Sequence, residues 1–258
     1  MSRQGYSVEE IIKTAANLKM KGIDWVTLYG RDPEELRKMS LDAGLQIVCH
    51  TFFAEKLLAN DKNWLDEIKQ SVDDAVTLGA PVVMIPTGVN ENIPRKDFRN
   101  FWIEALKQIA PLCDQAGITL TIENYPGKHS AFVTAADFLE AKKHVPQLKL
   151  TYDDGNAASG EDPVESIKLC KNDIVHVHFK DWYIYDRPCE GCREMLNGKY
   201  FKPALIGQGD IPTSACLKAL KNIGYDGYIN IEYESSDIPA DQAIKQAIDF
   251  LNLNPCSE

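Results

Sequence analysis

Eight helical patterns alternate with seven strand patterns along 258 residues. Strands in that order run parallel, joined by helical crossovers. The length matches the roughly 250 residues of a barrel of such units. No Pro/Ser-rich linker or composition shift divides the chain. These observations predict an α/β fold, a TIM (β/α)8-type barrel forming a single domain over residues 1–258, with its first strand irregular or missing.

The elements follow in order. Ser7-Val8-Glu9-Glu10 is a capping-box pattern, followed by apolar Ile11, Ile12, Ala15 and Leu18 and a stop at Gly22. Trp25–Tyr29 reads as a short strand. Asp32-Pro33-Glu34-Glu35 supplies an N-cap acceptor and Pro at N1 for a second helix, which stops at Gly44. Leu45–His50 is a strand, residues 63–78 a helix, and Pro81–Pro86 a strand. A longer helix over 96–117 leads to the strand Ile118–Glu123. Thr134–His144 is helical, Leu148–Asp153 a strand, and Asp162-Pro163-Val164-Glu165 caps another helix before the strand Ile174–Phe179. Residues 182–209 form one long irregular loop insertion, expected to cover the mouth of the barrel. A helix from Pro212, the strand Gly227–Glu232 and a helix to Asn252 complete the chain. Met1–Tyr6 is too polar and short for a core strand, which leaves an open edge beside Trp25–Tyr29. Such an edge predicts an oligomer, homomeric or with a different subunit.

Composition removes several functions. The net charge of −10 argues against nucleic acid or anionic membrane as partner. No apolar run approaches the roughly 20 residues of a membrane span, and MSRQGYSVEE lacks a signal-peptide core, so a cytoplasmic location is expected. Seven cysteines, odd in number and irregular in spacing, suit reduced thiols better than a disulfide framework. Cys189-Glu190-Gly191-Cys192 is a CxxC, but no second pair has zinc spacing. Gly207-Gln208-Gly209-Asp210 reads as the turn that sets Asp210 before the next helix.

The chemistry collects at strand ends. In Asp173–Trp182, Val175, Val177 and Phe179 alternate with His176, His178 and Lys180, so one face of that strand carries two imidazoles and an ammonium. Glu123, Asp153 and Glu232 end three other late strands, each on the face opposite the aliphatic residues. In a barrel the aliphatic face packs on the helices, so Glu123, Asp153, His178 and Glu232 would point inward at the C-terminal rim. Three carboxylates and one imidazole are hard ligands suited to a divalent metal ion, Mn2+ first, then Co2+, Mg2+ or Zn2+. Lys180 is placed to hydrogen-bond a substrate oxygen, to act as an alternative base, or to pair with a rim carboxylate. His50 ends its strand at the same mouth, as a substrate contact or rim packing, and Trp182 is an aromatic suited to stacking on a ring of the substrate.

The stretches TIENY, LTYDDGN, VHVHFKDW, ALIGQGDIP and GYDGYINIEYE, in this order, resemble the xylose isomerase-like TIM barrels. Within these they resemble the sugar phosphate isomerase/epimerase family of ketose 3-epimerases, hydroxypyruvate isomerase and inosose dehydratase. The resemblance implies a divalent metal on Glu123, Asp153, His178 and Glu232, with Glu123 and Glu232 also the acid–base pair. The implied activity is isomerisation or epimerisation of a ketose or related polyol, by proton abstraction next to a carbonyl and a metal-stabilised enediolate. A lyase that expels a β-leaving group from the same site is the alternative. Asn156 stands where ketose 3-epimerases carry a His, and no Arg follows the metal-binding His closely, so the substrate contacts (His50, Asn156, Lys180 and Trp182) are expected to differ. Endonucleases of the same superfamily need more histidines than the five here.

Overall fold

The structure, a computed structural model, describes Met1 and residues 4–253. In chain order its elements are α1 (Val8–Asn17), β1 (Gly22–Val26), α2 (Pro33–Asp42), β2 (Gln46–Thr51), α3 (Glu55–Leu58), α4 (Trp64–Leu78) and β3 (Val82–Ile85). There follow α5 (Arg95–Ala116), β4 (Thr119–Glu123), α6 (Ala135–His144), β5 (Lys149–Asp153), α7 (Asp154–Ala158), α8 (Pro163–Cys170) and β6 (Ile174–Phe179). The last are β7 (Asp181–Tyr185), β8 (Arg193–Glu194), β9 (Tyr200–Ala204), α9 (Thr213–Asn222), β10 (Ile229–Ile231) and α10 (Ala240–Leu253).

Local chemistry starts these helices as the sequence predicts. Ser7 Oγ accepts from the Glu10 amide at 3.2 Å while Glu10 Oε2 accepts from the Ser7 amide at 2.8 Å, closing the capping box. Asp32 and Asp162 each accept from two amides of the first turn, behind Pro33 and Pro163 at N1. The first strand is shifted from its expected place. Helix α1 ends at Asn17, with Leu18 as its C-cap and Lys19 at φ 58°, so Gly22 opens β1 and is no helix stop. Thr27 and Tyr29 take positive φ (65° and 51°), which ends the strand at Val26.

The chain forms two compact units. The first holds Met1–Pro86, Ile103–Ile122 and Lys142–Lys149; the second holds Thr87–Trp102, Glu123–Ala141 and the chain from Leu150 on. In the first unit β1 pairs with β2, β2 with β3 (His50 opposite Val83) and β3 with β4 (Met84 opposite Thr121), all in parallel. Val48, Cys49 and Met84 pack together there. In the second unit β5 pairs with β6 and β6 with β10, again in parallel. Among the described residues the parallel strands follow the order β1-β2-β3-β4 in the first unit and β5-β6-β10 in the second, the α/β arrangement of the TIM-barrel type. Residues 4–7 carry no strand, while Ser2 and Arg3 of the Met1–Tyr6 segment lie outside the described residues. No helix among the described residues is long and apolar enough to cross a membrane.

The segment expected to be irregular is ordered. Strands β7, β9 and β8 form a separate antiparallel sheet, with Trp182 opposite Pro203 and Arg193 opposite Phe201. Asn197-Gly198 makes its second turn: Gly198 takes φ 82°, and Met195 N donates to Lys199 O at 2.8 Å. Trp182, Met195, Phe201 and Ile211 form a buried cluster beneath the sheet, which supplies the hydrophobic reason for it. The reduced-thiol expectation also fails at one pair: Cys189 and Cys192, at the tip of the β7–β8 connection, are joined in a disulfide. The turn that contains them brings the two Cα atoms to 5.2 Å, within bonding range, which spacing alone did not reveal.

Candidate functional site

The parallel register assembles the site in the second unit. Asp153, the last residue of β5, lies opposite His178 on β6, and His178 lies opposite Asn230 on β10. Glu232 stands one residue past β10 and extends that ladder, its amide donating to Phe179 O at 2.8 Å. Glu123 is fixed by the residue after it. The Asn124 side chain donates to Asp153 O and accepts from Asp153 N, both at 2.8 Å, which clamps the two strand ends together. Asp153 also caps α7, accepting from Asn156 N at 2.6 Å through Oδ1.

Ligand atoms of Glu123, Asp153, His178 and Glu232 all lie within 4.8 Å of one another. Two ligands on one ion at about 2.0–2.2 Å stand no more than about 4.4 Å apart, so the donor set fits a divalent cation with small adjustment. His178 Nδ1 is 2.8 Å from Glu123 Oε1 and 2.9 Å from Glu232 Oε1. An imidazole N–H donates and a carboxyl oxygen accepts, so the Nδ1–H is shared between the two oxygens. His176 packs edge-on against His178 at 5.1 Å.

Lys180, just beyond β6 and almost fully buried, is the cation of this group. Its Nζ lies 2.6 Å from Glu232 Oε2, 3.2 Å from Asp153 Oδ2 and 3.5 Å from Glu234 Oε1. Burial pushes its pKa down, but Asp153, Glu232 and Glu234 outweigh burial and hold it well above the ordinary value. It is therefore an ammonium at neutral pH and does not supply a free amine base. Burial pushes Glu232 up, and Lys180 followed by His178 more than reverses this, holding its carboxyl well below the usual range. Glu234 is lowered in the same way by Lys180 and Arg193 against burial. Asp153 is raised, first by burial and then by Glu123 and Glu232, with Lys180 opposing. Its buried Oδ2 accepts no hydrogen bond, although Lys180 Nζ lies 3.2 Å away.

The expected substrate contacts divide. Asn156 is fully buried on α7, and neither its Oδ1 nor its Nδ2 has a hydrogen-bond partner. Trp182 is also fully buried: Phe201 stacks on its ring at 3.7 Å, while its Nε1 has no partner. His50 belongs to the first unit, where its Nδ1–H donates to Trp25 O at 2.9 Å; burial lowers its pKa.

Three residues were missed. Glu234 lies two residues past Glu232, so strand parity pointed to it. Arg193, whose Nη2 donates to Glu234 Oε2 at 2.7 Å, comes from the antiparallel sheet, and Asn124 acts through backbone contacts. For Arg193 the Asn197-Gly198 hairpin turn is a signal in the sequence, whereas Asn124 leaves none.

Comparison with known proteins agrees with this architecture. The profile of the xylose isomerase-like TIM barrel matches residues 5–253. An inosose dehydratase of Clostridium perfringens is 24% identical over 92% of this chain and 86% of its own. A structure of L-ribulose 3-epimerase superposes with a TM-score of 0.77 at 19% identity, covering 96% of this chain and 88% of that one. The IOLI protein, solved with a binding zinc atom, gives 0.76 at 17% identity over 94% and 91%.

Proposed function

Because this chain belongs to the xylose isomerase-like TIM barrel family, we propose that it is a divalent-metal-dependent isomerase or epimerase of a ketose or related polyol. The observation that carries this reading is the convergence of Glu123, Asp153, His178 and Glu232 around one point. These four would hold the ion, Mn2+ in first place on ligand hardness, with Co2+, Mg2+ and Zn2+ as alternatives. When bound, the cation supplies a Lewis acid for the oxyanion that develops beside the substrate carbonyl.

The chain's own groups supply the proton transfer. Glu232 is ionised at neutral pH because Lys180 and His178 sit against it, so it is the base that removes a proton from the carbon next to the carbonyl. Glu123, entering the step as the protonated acid, gives its proton to the opposite face of the resulting enediolate, while Glu232 keeps the proton it removed. The Lys180 ammonium donates to a substrate oxygen. The unpartnered amide of Asn156 and the Trp182 Nε1–H are the polar groups left to meet hydroxyls. A buried polar atom left unpaired costs about 1–3 kcal/mol, which a hydroxyl would offset.

A lyase is the second reading. Lys180 at 2.6 Å from Glu232 places an acid beside the base, as departure of a β-hydroxyl requires, and one relative is an inosose dehydratase. The test incubates metal-loaded protein in deuterated water with ketoses, keto-inositols and keto-glycosides. Deuterium incorporation without elimination supports the isomerase, and loss of water or aglycone supports the lyase. Neither outcome with any substrate would overturn both. A cytoplasmic location and an oligomer, homomeric or with a different subunit, complete the proposal. Light scattering checks the oligomer, since β1 ends the strand order and Val26 and Tyr29 are exposed.

A further inference from the structure

We propose that Cys189 and Cys192 form a reversible thiol–disulfide modification site that sets the position of Arg193 and, through Glu234, the ion pairs around Lys180. As regulation of the site above, it rests on that functional reading.

Selectivity comes from burial. Among the described residues, Cys49, Cys113, Cys170 and Cys216 are buried cysteines outside the disulfide, and burial pushes Cys113 and Cys170 up to about 12. Such thiols are inert. Cys189 and Cys192 are only partly buried and flank the exposed Glu190 and Gly191, so a small thiol reaches them. Their turn is preformed: Cys192 N donates to Cys189 O at 3.0 Å, Gly191 takes φ 70°, and the Cα atoms are 5.2 Å apart. The turn therefore keeps the two sulfurs within reach of each other, so that the bond can re-form after reduction.

Arg193 follows Cys192 directly and opens β8, which has only two residues. A strand this short holds its place weakly, so the crosslink beside it matters. The Arg193 guanidinium lies 4.5 Å over the Phe201 ring, which stacks on Trp182. It also pairs with Glu234, whose other oxygen is 3.5 Å from Lys180 Nζ, which in turn is 2.6 Å from Glu232. Reduction by two equivalents of a cellular thiol breaks the Cys189–Cys192 bond, leaves two protein thiols and forms one low-molecular-weight disulfide. The turn then loosens, Arg193 leaves Glu234, and Glu234 competes with Glu232 for the Lys180 ammonium.

The test compares oxidised and dithiothreitol-treated full-length protein by thiol alkylation and hydrogen exchange, neither of which needs substrate or metal. Among the described cysteines, reduction is expected to add alkylation at Cys189 and Cys192 alone, and it should speed amide exchange over residues 193–201 about tenfold, with residues 174–179 unchanged. The double variant Cys189→Ser/Cys192→Ser should exchange like the reduced protein and ignore dithiothreitol. No labelling of the pair, or unchanged exchange over 193–201 after labelling, would overturn the proposal. If exchange responds but no ketose is turned over, the modification site stands and the functional reading falls.

Discussion

Replacing Lys180 with Met removes the one buried cation from among Glu232, Asp153 and Glu234 while roughly keeping the volume of the stem. Breaking a buried ion pair from one side costs about 3–5 kcal/mol. Glu232 is 32% exposed, and solvent screens part of the repulsion left behind, so the lower figure of about 3 kcal/mol applies at neutral pH. At about 2–4 °C per kcal/mol for a chain of this size, Tm should fall by about 6–12 °C. The pH dependence follows from the direction of each shift. Lys180 is raised, so its contribution is complete below about pH 10.5 and is lost as pH rises through its folded value. Glu232 and Glu234 are lowered, so their contribution is present above about pH 4.5 and is lost as pH falls through their folded values. Urea unfolding at neutral pH should therefore separate wild type from Lys180→Met by about 3 kcal/mol, and the gap should narrow below about pH 4. Equal midpoints at neutral pH, or a gap that persists unchanged in acid, would refute the ion-pair account.

Two further substitutions test other parts of the site. Asn156→Leu removes an amide with no partner, so the free protein should gain about 1 kcal/mol in urea unfolding while the KM for its ketose rises about tenfold. Gly209→Ala places a Cβ 2.6 Å from Trp182 O and against Asp181 Oδ1. Asp181 accepts from the amides of Trp182, Gly207, Gly209 and Ile211, so this overpacking should lower stability by about 2–3 kcal/mol, read as a fall in Tm.

The residues that repeat with period two or 3.6 were legible. Strand parity picked out Glu123, Asp153, His178 and Glu232 because a strand end fixes which face a side chain takes, and parallel register then brings the ends together. What parity cannot show is a side chain that arrives from elsewhere. Arg193 reaches Glu234 from a sheet of which the sequence marks only the Asn197-Gly198 turn, and the cluster of Trp182, Met195 and Phe201 joins residues far apart in the chain. The Gly207–Asp210 turn behaves similarly. It wraps the Asp181 carboxylate, and Asp210 accepts from Ile184 N at 2.7 Å, so the turn is organised by a buried acid upstream and does not cap α9, whose N-cap is Pro212. Backbone-directed contacts of this kind leave no periodic trace.

The central claim is that four side chains make one divalent site, and titrating Mn2+ into wild type, Asp153→Asn and His178→Ala tests it most directly. Wild type should take one ion per chain. His178→Ala should lose at least about a hundredfold in affinity with an unchanged circular dichroism spectrum, and Asp153→Asn should weaken in the same direction. Mn2+ binding of equal strength and stoichiometry in all three would contradict the account.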